Sequence, residues 1–287
     1  MPLPAPGRKH VIVQKVRCLV AQRNHPTAPS RTLKRYVPTC VTVAVLLVAW
    51  QVWVVQGHVP STLLASPTAM VQSMVRTWPT LWPATVVTFW EGFLGFAIAV
   101  ALGVLLGIGL YCSKIAHAAF YPLLVAAQTL PLISVAPLFL IWFGFEPVGK
   151  VVIVALFAIF PVVVQTVRGL ESVPQYYSDV ALTCGATPSW TLWHVKLRVA
   201  APAIFGGVRV SAAYVFATAA TAEYLGARKG LGIWLQSAYN SFQTPLIFAA
   251  TIMIVLMTVV LMVIIHVAER VILGNPADNA DPDADQL

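Results

Sequence analysis

Six long apolar stretches constrain the fold of this chain more than any other feature of its sequence. A helix needs about 20 apolar residues to cross a bilayer, because a rise of ~1.5 Å per residue must cover ~30 Å of hydrocarbon. The stretches lie at residues 39–55, 85–111, 120–143, 148–167, 199–225 and 246–267. Only 10% of the residues are charged, so a soluble fold would expose large apolar surfaces. The sequence therefore predicts an all-α, polytopic transmembrane helical bundle of about six spans.

Basic residues are concentrated before the first stretch, and they predict the orientation of the chain. Residues 1–38 contain eight Lys or Arg and no acidic residue, whereas residues 275–287 contain four Asp and no basic residue. Because Lys and Arg accumulate in short cytoplasmic flanks, we expect a multi-pass protein of the inner or plasma membrane with both termini cytoplasmic. The basic flank suits an anionic lipid bilayer, and no interleaved aromatic residues indicate nucleic-acid binding.

The predicted organisation is one membrane domain with two polar flanks. Residues 1–38 form a basic cytoplasmic segment, residues 39–271 the six-span domain, and residues 272–287 an acidic, disordered tail. The spacing of the four cysteines indicates neither a disulfide framework nor a metal site. Residues 144–150 match the spacing of a phosphate-binding loop, but Val151 stands where Ser or Thr should hold Mg²⁺, and no strand precedes them. We therefore predict no catalytic residues, no cofactor and no enzymatic activity.

A row of small residues in the second stretch predicts a helix-packing face. Gly95, Ala99, Gly103 and Gly107 follow one another at intervals of four. This interval places them on one side of a helix, where a neighbouring backbone can approach closely. We expect a packing face here and no ligand site.

The third stretch contains three prolines and is a candidate for the transport pathway. Pro122, Pro131 and Pro137 each remove a backbone donor and predict a kinked helix. Polar side chains beside a kink at mid-depth are a common way to build a transport site. Gln128 and Ser134 are therefore predicted pathway residues, although a purely mechanical kink is the alternative.

Charged and aromatic residues inside the apolar stretches add further candidates. Glu91 and Glu223 lie in apolar surroundings, where a carboxylate is costly unless it faces a partner, a cavity or the interface. We favour interhelical hydrogen bonding for Glu91 and a pathway role for Glu223. Trp142 and Tyr214 complete the predicted pathway set, and Arg209 is expected to reach the interface or pair with a residue of the polar segment 168–198.

Segment 168–198 is the longest polar interruption between the apolar stretches. Ser172 to Gln175 has the form of a capping box, and Gly185 suits the end of the helix that the box would begin. Thr187-Pro188 is typical of the start of a second helix. The first helix would present one apolar face: Tyr177, Val180, Ala181 and Cys184. This face must be buried either in a groove of a partner protein or on the membrane surface.

Segment 168–198 also resembles the coupling loop of ATP-binding-cassette importer permeases. The family motif begins with an acidic residue and two alanines, continues with glycine after three residues, and ends nine residues later in Ile-x-Leu-Pro. Here Asp-Val-Ala stands at 179–181, followed by Gly185 and Val-Lys-Leu at 195–197, with Arg198 in place of the usual proline. Stretches at 63–68, 127–131, 141–144, 222–227 and 230–232 resemble the branch that carries nitrate, sulfonates, taurine and vitamin precursors.

The resemblance implies a permease subunit that works with partner chains. These are a cytoplasmic ATPase docked on segment 168–198, a second permease copy, expected as a homodimer, and an extracytoplasmic solute-binding protein. The residues expected to contact the ATPase are Tyr177, Asp179, Val180, Ala181, Cys184, Gly185 and Ala186. The aromatic and amide groups of the predicted pathway favour a neutral heterocyclic vitamin precursor, with sulfonates or nitrate as close alternatives. A stand-alone, proton-coupled secondary transporter that uses Glu91 and Glu223 is the rival interpretation.

Overall fold

The computed structural model describes residues 30–144 and 146–274, and every regular element within these ranges is helical. The helices are α1 (Ser30–Gln56), α2 (Pro67–Arg76), α3 (Trp78–Cys112), α4 (Lys114–Ala127), α5 (Leu132–Phe143), α6 (Pro147–Glu171), α7 (Gln175–Thr183), α8 (Pro188–Thr191), α9 (Leu197–Gly226), α10 (Leu231–Asn240) and α11 (Thr244–Leu273). A π-helical turn, Leu192–Lys196, joins α8 to α9. The predictions for residues 1–29 and 275–287 lie outside the described residues.

Helix α1 contains the first predicted span and belongs to a structural unit of its own, whose described part is residues 30–57. It begins at Ser30, so residues 30–38, which we assigned to the polar flank, are helical. Within the helix, the Thr42 hydroxyl donates to the Pro38 carbonyl at 2.9 Å. The apolar part of α1, Val41–Gln56, is shorter than the other spans.

The second unit, described over residues 58–144 and 146–274, contains four helical runs in these ranges that are long and apolar enough to cross a membrane. They are Trp78–Cys112, Pro147–Glu171, Pro188–Gly226 and Thr244–Leu273, and they correspond to four of the predicted spans. A fifth crossing depends on α4 and α5, which are joined at an angle of 107°. The predicted all-α membrane bundle is therefore confirmed.

Helices α3 and α6 pack together along the row of small residues. A Cβ atom at Gly95 would lie 2.6 Å from the side chain of Val154, and one at Gly103 would lie 2.8 Å from Val162. Each contact joins residues 59 positions apart, and the Lys150–Glu91 ion pair has the same offset. Because the offset is constant, α3 and α6 run in the same direction. The predicted packing face is confirmed, and its partner is α6.

The parallel arrangement of α3 and α6 shows that α4 and α5 together cross the bundle once. The offset of 59 places Pro147, the first residue of α6, beside Thr88, although α3 ends only at Cys112. Between these helices the chain must return from the level of Cys112 to that of Thr88, about 36 Å for 24 helical residues. The α4–α5 pair makes this return, so the second unit has five crossings.

The predicted kinked helix at 120–143 is in fact two helices. Helix α4 ends at Ala127, and α5 begins after Pro131. Proline lacks an N–H and keeps the preceding residue out of the helical region, which explains the break at this proline. Pro122 and Pro137 lie inside α4 and α5 and do not interrupt them.

Helix α9 packs antiparallel to α6 and completes the central layer of the unit. Gly169 lies against Ala200 and Ala203, whereas the Ser211 hydroxyl, further along α9, donates to the carbonyl of Ala158 at 2.6 Å. Helix α11 packs on α9 through buried Met253, Met257 and Leu261. Segment 168–198 therefore lies at one end of the bundle, while α2 and α10 lie at the opposite end.

Candidate functional site

Helix α7 forms the first half of segment 168–198 and ends at the predicted glycine. Gly185 has φ +88°, a conformation that a residue with a Cβ adopts only at a cost. Its N–H donates to the Leu182 carbonyl, and the N–H of Ala186 donates to the Ala181 carbonyl, both at 3.0 Å. This pair of bonds is a Schellman motif, which satisfies carbonyls that the helix end would leave free. The prediction that Gly185 ends this helix is confirmed.

The predicted capping box at Ser172 is wrong. Helix α6 extends to Glu171, so Ser172 ends that helix, and its hydroxyl donates to the Gly169 carbonyl at 2.8 Å. Helix α7 begins at Gln175 after Pro174, without a side-chain cap. The local sequence suits either the start of α7 or the end of α6. Because α6 extends to Glu171, Ser172 caps the end of α6.

The second half of segment 168–198 begins as predicted and runs directly into a span. The Thr187 hydroxyl accepts a hydrogen bond from the Trp190 N–H at 3.3 Å, and Pro188 occupies the first helical turn. Helix α8, the π-helical turn and α9 form one continuous run. Arg198, which stands where the family motif has proline, is the second residue of α9, and the run passes it without interruption. Movement of the segment is therefore linked to α9 without a flexible joint.

An open groove lies where the two halves of the segment meet. It measures about 610 Å³. Its lining consists of Val180, Ala181, Cys184, Gly185, Ala186, Thr187, Trp190 and Val195. Val180 is 59% exposed, and Trp190 is 48% exposed. Five of the seven residues predicted to contact the ATPase line this groove, while Tyr177 and Asp179 are exposed on α7 outside it.

The ring of Tyr177 also packs against the ring of its neighbour at the start of α7, at a tilt of 30°. The ring centroids of Tyr176 and Tyr177 are 4.2 Å apart. Interaction with the Tyr177 side chain raises the pKa of Tyr176 above its ordinary value. Both rings are exposed and extend the aromatic surface of the segment.

Side-chain contacts tie both ends of segment 168–198 to the spans. The Arg168 Nε donates to the Tyr121 hydroxyl of α4 at 3.0 Å, and the Lys196 Nζ donates to the Tyr111 hydroxyl of α3 at 2.9 Å. The Lys196 ammonium also lies 5.4 Å from the Tyr111 ring centroid. A displacement of the segment would therefore pull on α3 and α4 as well as on α6 and α9.

The five predicted pathway residues occupy two different parts of the fold. Gln128 is exposed at the α4–α5 break, and Ser134 and Trp142 are exposed on α5. Tyr214 is half-buried on α9, where its hydroxyl donates to the Phe157 carbonyl of α6 at 3.3 Å. Glu223 is fully buried near the end of α9. The structure thus leaves three of the residues exposed at the α4–α5 break and on α5, and it bonds the other two to neighbouring helices.

The Glu223 carboxylate binds the start of α10. It accepts hydrogen bonds from the Thr88 hydroxyl of α3 at 2.7 Å and from the Gly232 N–H at 2.7 Å. The Thr88 hydroxyl in turn accepts from the Leu231 N–H at 2.8 Å. A carboxylate at a helix N-terminus is stabilised by the free N–H groups and by the helix dipole. In this conformation Glu223 therefore positions α10 on α3 and α9.

Lys150 and Glu91 form a buried ion pair that sequence reasoning only half anticipated. The Lys150 ammonium donates to Glu91 Oε1, and the two residues are only 3% and 4% exposed. The expected interhelical bond of Glu91 is present, but its partner was missed. The sequence places an acidic residue and a basic residue inside two different apolar stretches, and these opposite charges could have indicated the pair. Arg209 likewise pairs with Glu269 of α11 and not with segment 168–198.

An apolar bundle with five crossings and an exposed, firmly anchored helical segment at one end is the architecture of a membrane-spanning transport subunit. A family model described as binding-protein-dependent transport system inner membrane component matches residues 99–273. The chain belongs to this family.

Individual relatives agree with the family match. The riboflavin transport system permease protein RibX of Chloroflexus aurantiacus is 34% identical over 81% of this chain and 87% of that protein. The putative aliphatic sulfonates transport permease protein SsuC of Bacillus subtilis is 30% identical over 78% of this chain and 82% of that protein. An inward-facing structure of the MetNI methionine ABC transporter has a TM-score of 0.55 at 18% identity, over 68% of this chain and 94% of that chain. The structural likeness shows a shared fold.

Family membership confirms the central functional prediction. The chain is the permease subunit of an ATP-binding-cassette importer, a transport component and not an enzyme, and it works with an ATPase and a binding protein. The comparisons give no support to a stand-alone proton-coupled transporter. The contacts of Lys150 with Glu91, and of Thr88 and Gly232 with Glu223, also assign both carboxylates a structural partner.

Proposed function

We propose that the groove at Gly185 is the docking site of the ATPase partner. The observation that carries this proposal is an exposed, largely apolar groove on a segment whose ends are tied to four spans. Exposed apolar surface of this kind on a polar segment is typical of a protein interface. Helix-in-groove contact and the side-chain ties at Tyr111 and Tyr121 together explain how closure of an ATPase pair would move the spans.

The docking proposal predicts that filling the groove prevents ATPase binding. Ala181→Trp places an indole in the groove, whereas Thr183→Trp adds the same bulk on the opposite face of α7 and serves as the matched control. Co-purification of each variant with the ATPase in detergent measures the association. We expect loss of the ATPase from the Ala181 variant and retention by the Thr183 variant. Equal binding by both would place the ATPase contact elsewhere.

The proposed orientation puts segment 168–198 and both termini in the cytoplasm. The basic excess in residues 1–38 supports this orientation, as does the need for the ATPase to reach the segment. Cys184 is exposed beside Gly185 and provides a direct test. In intact cells that express the permease without its ATPase, a membrane-impermeant maleimide should leave Cys184 unlabelled, and the same cells after permeabilisation should show labelling. A Ser237→Cys variant on α10 at the opposite end should show labelling in both preparations.

A second permease copy is proposed to complete the transport pathway. Gln128 is exposed at the α4–α5 break, and Ser134 and Trp142 are exposed on α5, where a facing copy would enclose a channel between the two chains. Gln128→Ala should lower uptake without loss of assembly with the ATPase. Unchanged uptake would remove Gln128 from the pathway.

The proposed cargo is a small organic solute of the heterocyclic vitamin-precursor class, with aliphatic sulfonates as the second candidate. Similarity to a riboflavin permease supports the first class, and similarity to a sulfonate permease supports the second. Aromatic and amide groups among the predicted pathway residues suit a neutral ring. Proteoliposomes containing the permease, its ATPase and its binding protein would decide, with ATP-dependent uptake of labelled riboflavin compared with that of labelled taurine. Uptake driven by a proton gradient in the absence of ATP would contradict the importer assignment.

A further inference from the structure

A basic cavity lies between α9 and α11 at the end of the bundle that carries segment 168–198. Its volume is about 820 Å³, within the range of small-molecule sites. Its lining consists of Arg198, Val199, Pro202, Arg209, His266, Glu269, Arg270, Leu273 and Gly274. The cavity therefore combines three arginines and a histidine with a single acidic residue.

The charges of the cavity are not balanced within the described residues. Glu269 is paired with Arg209 at the inner end of the cavity. Among residues 58–144 and 146–274, no acidic side chain pairs with Arg198 or Arg270, and both arginines are exposed. Two guanidinium groups on adjacent helices thus face the same space with a net positive charge. Guanidinium groups bind phosphate oxygens through two parallel hydrogen bonds, which makes a phosphate group a suitable occupant.

The surface beside the cavity is apolar and continues along the membrane span. Val259, Val263 and Val267 recur every four residues on α11, and each is more than half exposed. This row leads towards Arg270 and the mouth of the cavity. The arginines of the cavity lie next to the apolar valine stripe of α11. A ligand that occupies both the cavity and the stripe must therefore have an anionic head and an apolar body.

We propose that this cavity binds the headgroup of an anionic phospholipid, with the acyl chains lying along the apolar stripe of α11. The site is close to the point where segment 168–198 enters α9, since Arg198 is the second residue of that helix. Basic pockets between membrane helices at this level recognise anionic headgroups. A bound lipid would hold α9 and α11 together beside the segment that meets the ATPase.

Native mass spectrometry of the full-length chain with its ATPase tests this proposal. The complex is exposed to phosphatidylglycerol, phosphatidylcholine or inorganic phosphate. The test variant is Arg198→Gln/Arg270→Gln. The matched control is Arg228→Gln/Lys229→Gln, which removes two exposed basic residues beyond the other end of α9. Because each basic residue near an anionic surface contributes about fivefold in affinity, we expect the test variant to bind phosphatidylglycerol roughly 30-fold more weakly. The control should bind as the wild type does.

Further arms separate the lipid from other occupants. A charge-preserving variant, Arg198→Lys/Arg270→Lys, keeps the positive charge without the paired guanidinium donors, so it should bind phosphatidylglycerol more tightly than the glutamine variant does. Equal retention of phosphatidylcholine would overturn the proposal, as would displacement of the lipid by millimolar inorganic phosphate.

A chain that ends at Gly274 lacks the four aspartates of residues 275–287 and should bind phosphatidylglycerol as the full chain does. If only this shortened chain bound the lipid, the acidic tail would be the occupant. A change of oligomeric state in the glutamine variant, without any lipid loss, would assign the cavity to a second copy.

Discussion

The buried pair between Glu91 and Lys150 allows a quantitative test of how the bundle tolerates charge. Each side chain is almost completely buried, so removal of one partner leaves the other charge without compensation. Breaking a buried pair costs about 3–5 kcal/mol in proteins, whereas replacement of both partners by apolar residues is often neutral or stabilising. We therefore expect Glu91→Leu/Lys150→Met to be more stable than either single variant.

The surroundings of the pair also predict an order between the single variants. Glu223 lies close enough to interact electrostatically with both Glu91 and Lys150. When Glu91 is replaced, the Lys150 ammonium still has the Glu223 carboxylate nearby. When Lys150 is replaced, two buried carboxyl groups lose their cation. Lys150→Met should therefore lie at the upper end of the range of about 3–5 kcal/mol, and Glu91→Leu below it.

Equilibrium unfolding of the purified chain in mixed micelles, by titration with a denaturing detergent, measures these differences. Glu171→Gln is the control for an exposed pair, because Glu171 is 47% exposed where it meets His117. This control should cost less than about 1 kcal/mol. If the double variant were as unstable as the two single losses added together, the charges would be stabilising in themselves and the reasoning would be refuted.

Three further variants test other contacts of the bundle, each by unfolding in mixed micelles or by binding of the ATPase. Gly103→Ala forces a Cβ into Val162 and should cost about 1–3 kcal/mol. Gly109→Ala, in open space on the same helix, should be neutral or up to about 1 kcal/mol more stable, and equal losses would contradict the α3–α6 contact. Thr88→Val deprives the Leu231 N–H of its acceptor and should cost about 1–3 kcal/mol, whereas Thr88→Ser should retain wild-type stability. In Gly185→Ala the new Cβ meets no atom within 4 Å, but the positive φ strains the backbone by about 1–2 kcal/mol. ATPase binding should therefore weaken without loss of the fold. Unchanged affinity would show that the Schellman turn is not needed for docking.

Features with a local cause could be predicted from the sequence. The six apolar stretches, the turn at Gly185 and the helix start at Thr187 each depend on residues a few positions apart. The packing face at Gly95 to Gly107 also appears in the sequence, because its period is that of a single helix. Only the identity of the opposing helix had to come from the structure.

Features that join distant residues could not be predicted. Glu91 and Lys150 are 59 residues apart, and Arg209 and Glu269 are 60 apart, so no local spacing marks either pair. The capping box at Ser172 failed for a related reason, since the length of α6 decides which helix this serine ends. Pro131 was visible as a perturbation, but the 107° angle depends on how α5 packs its Ala136 and Leu140 face against α6 and α9.

The constant offset between α3 and α6 has a mechanical consequence for transport. Gly95, Gly103 and Gly107 of α3 lie against Val154, Val162 and Thr166 of α6, and the ion pair has the same register, so the two helices cannot slide past each other without breaking every contact. Helices α3 and α6 therefore form one rigid unit that extends from the end of the bundle with segment 168–198 to the opposite end. A displacement applied at one end of this rigid unit tilts the two helices and so moves their other end. The bundle can bend most easily outside this pair, at the break between Ala127 of α4 and Leu132 of α5, where two short helices replace a continuous one.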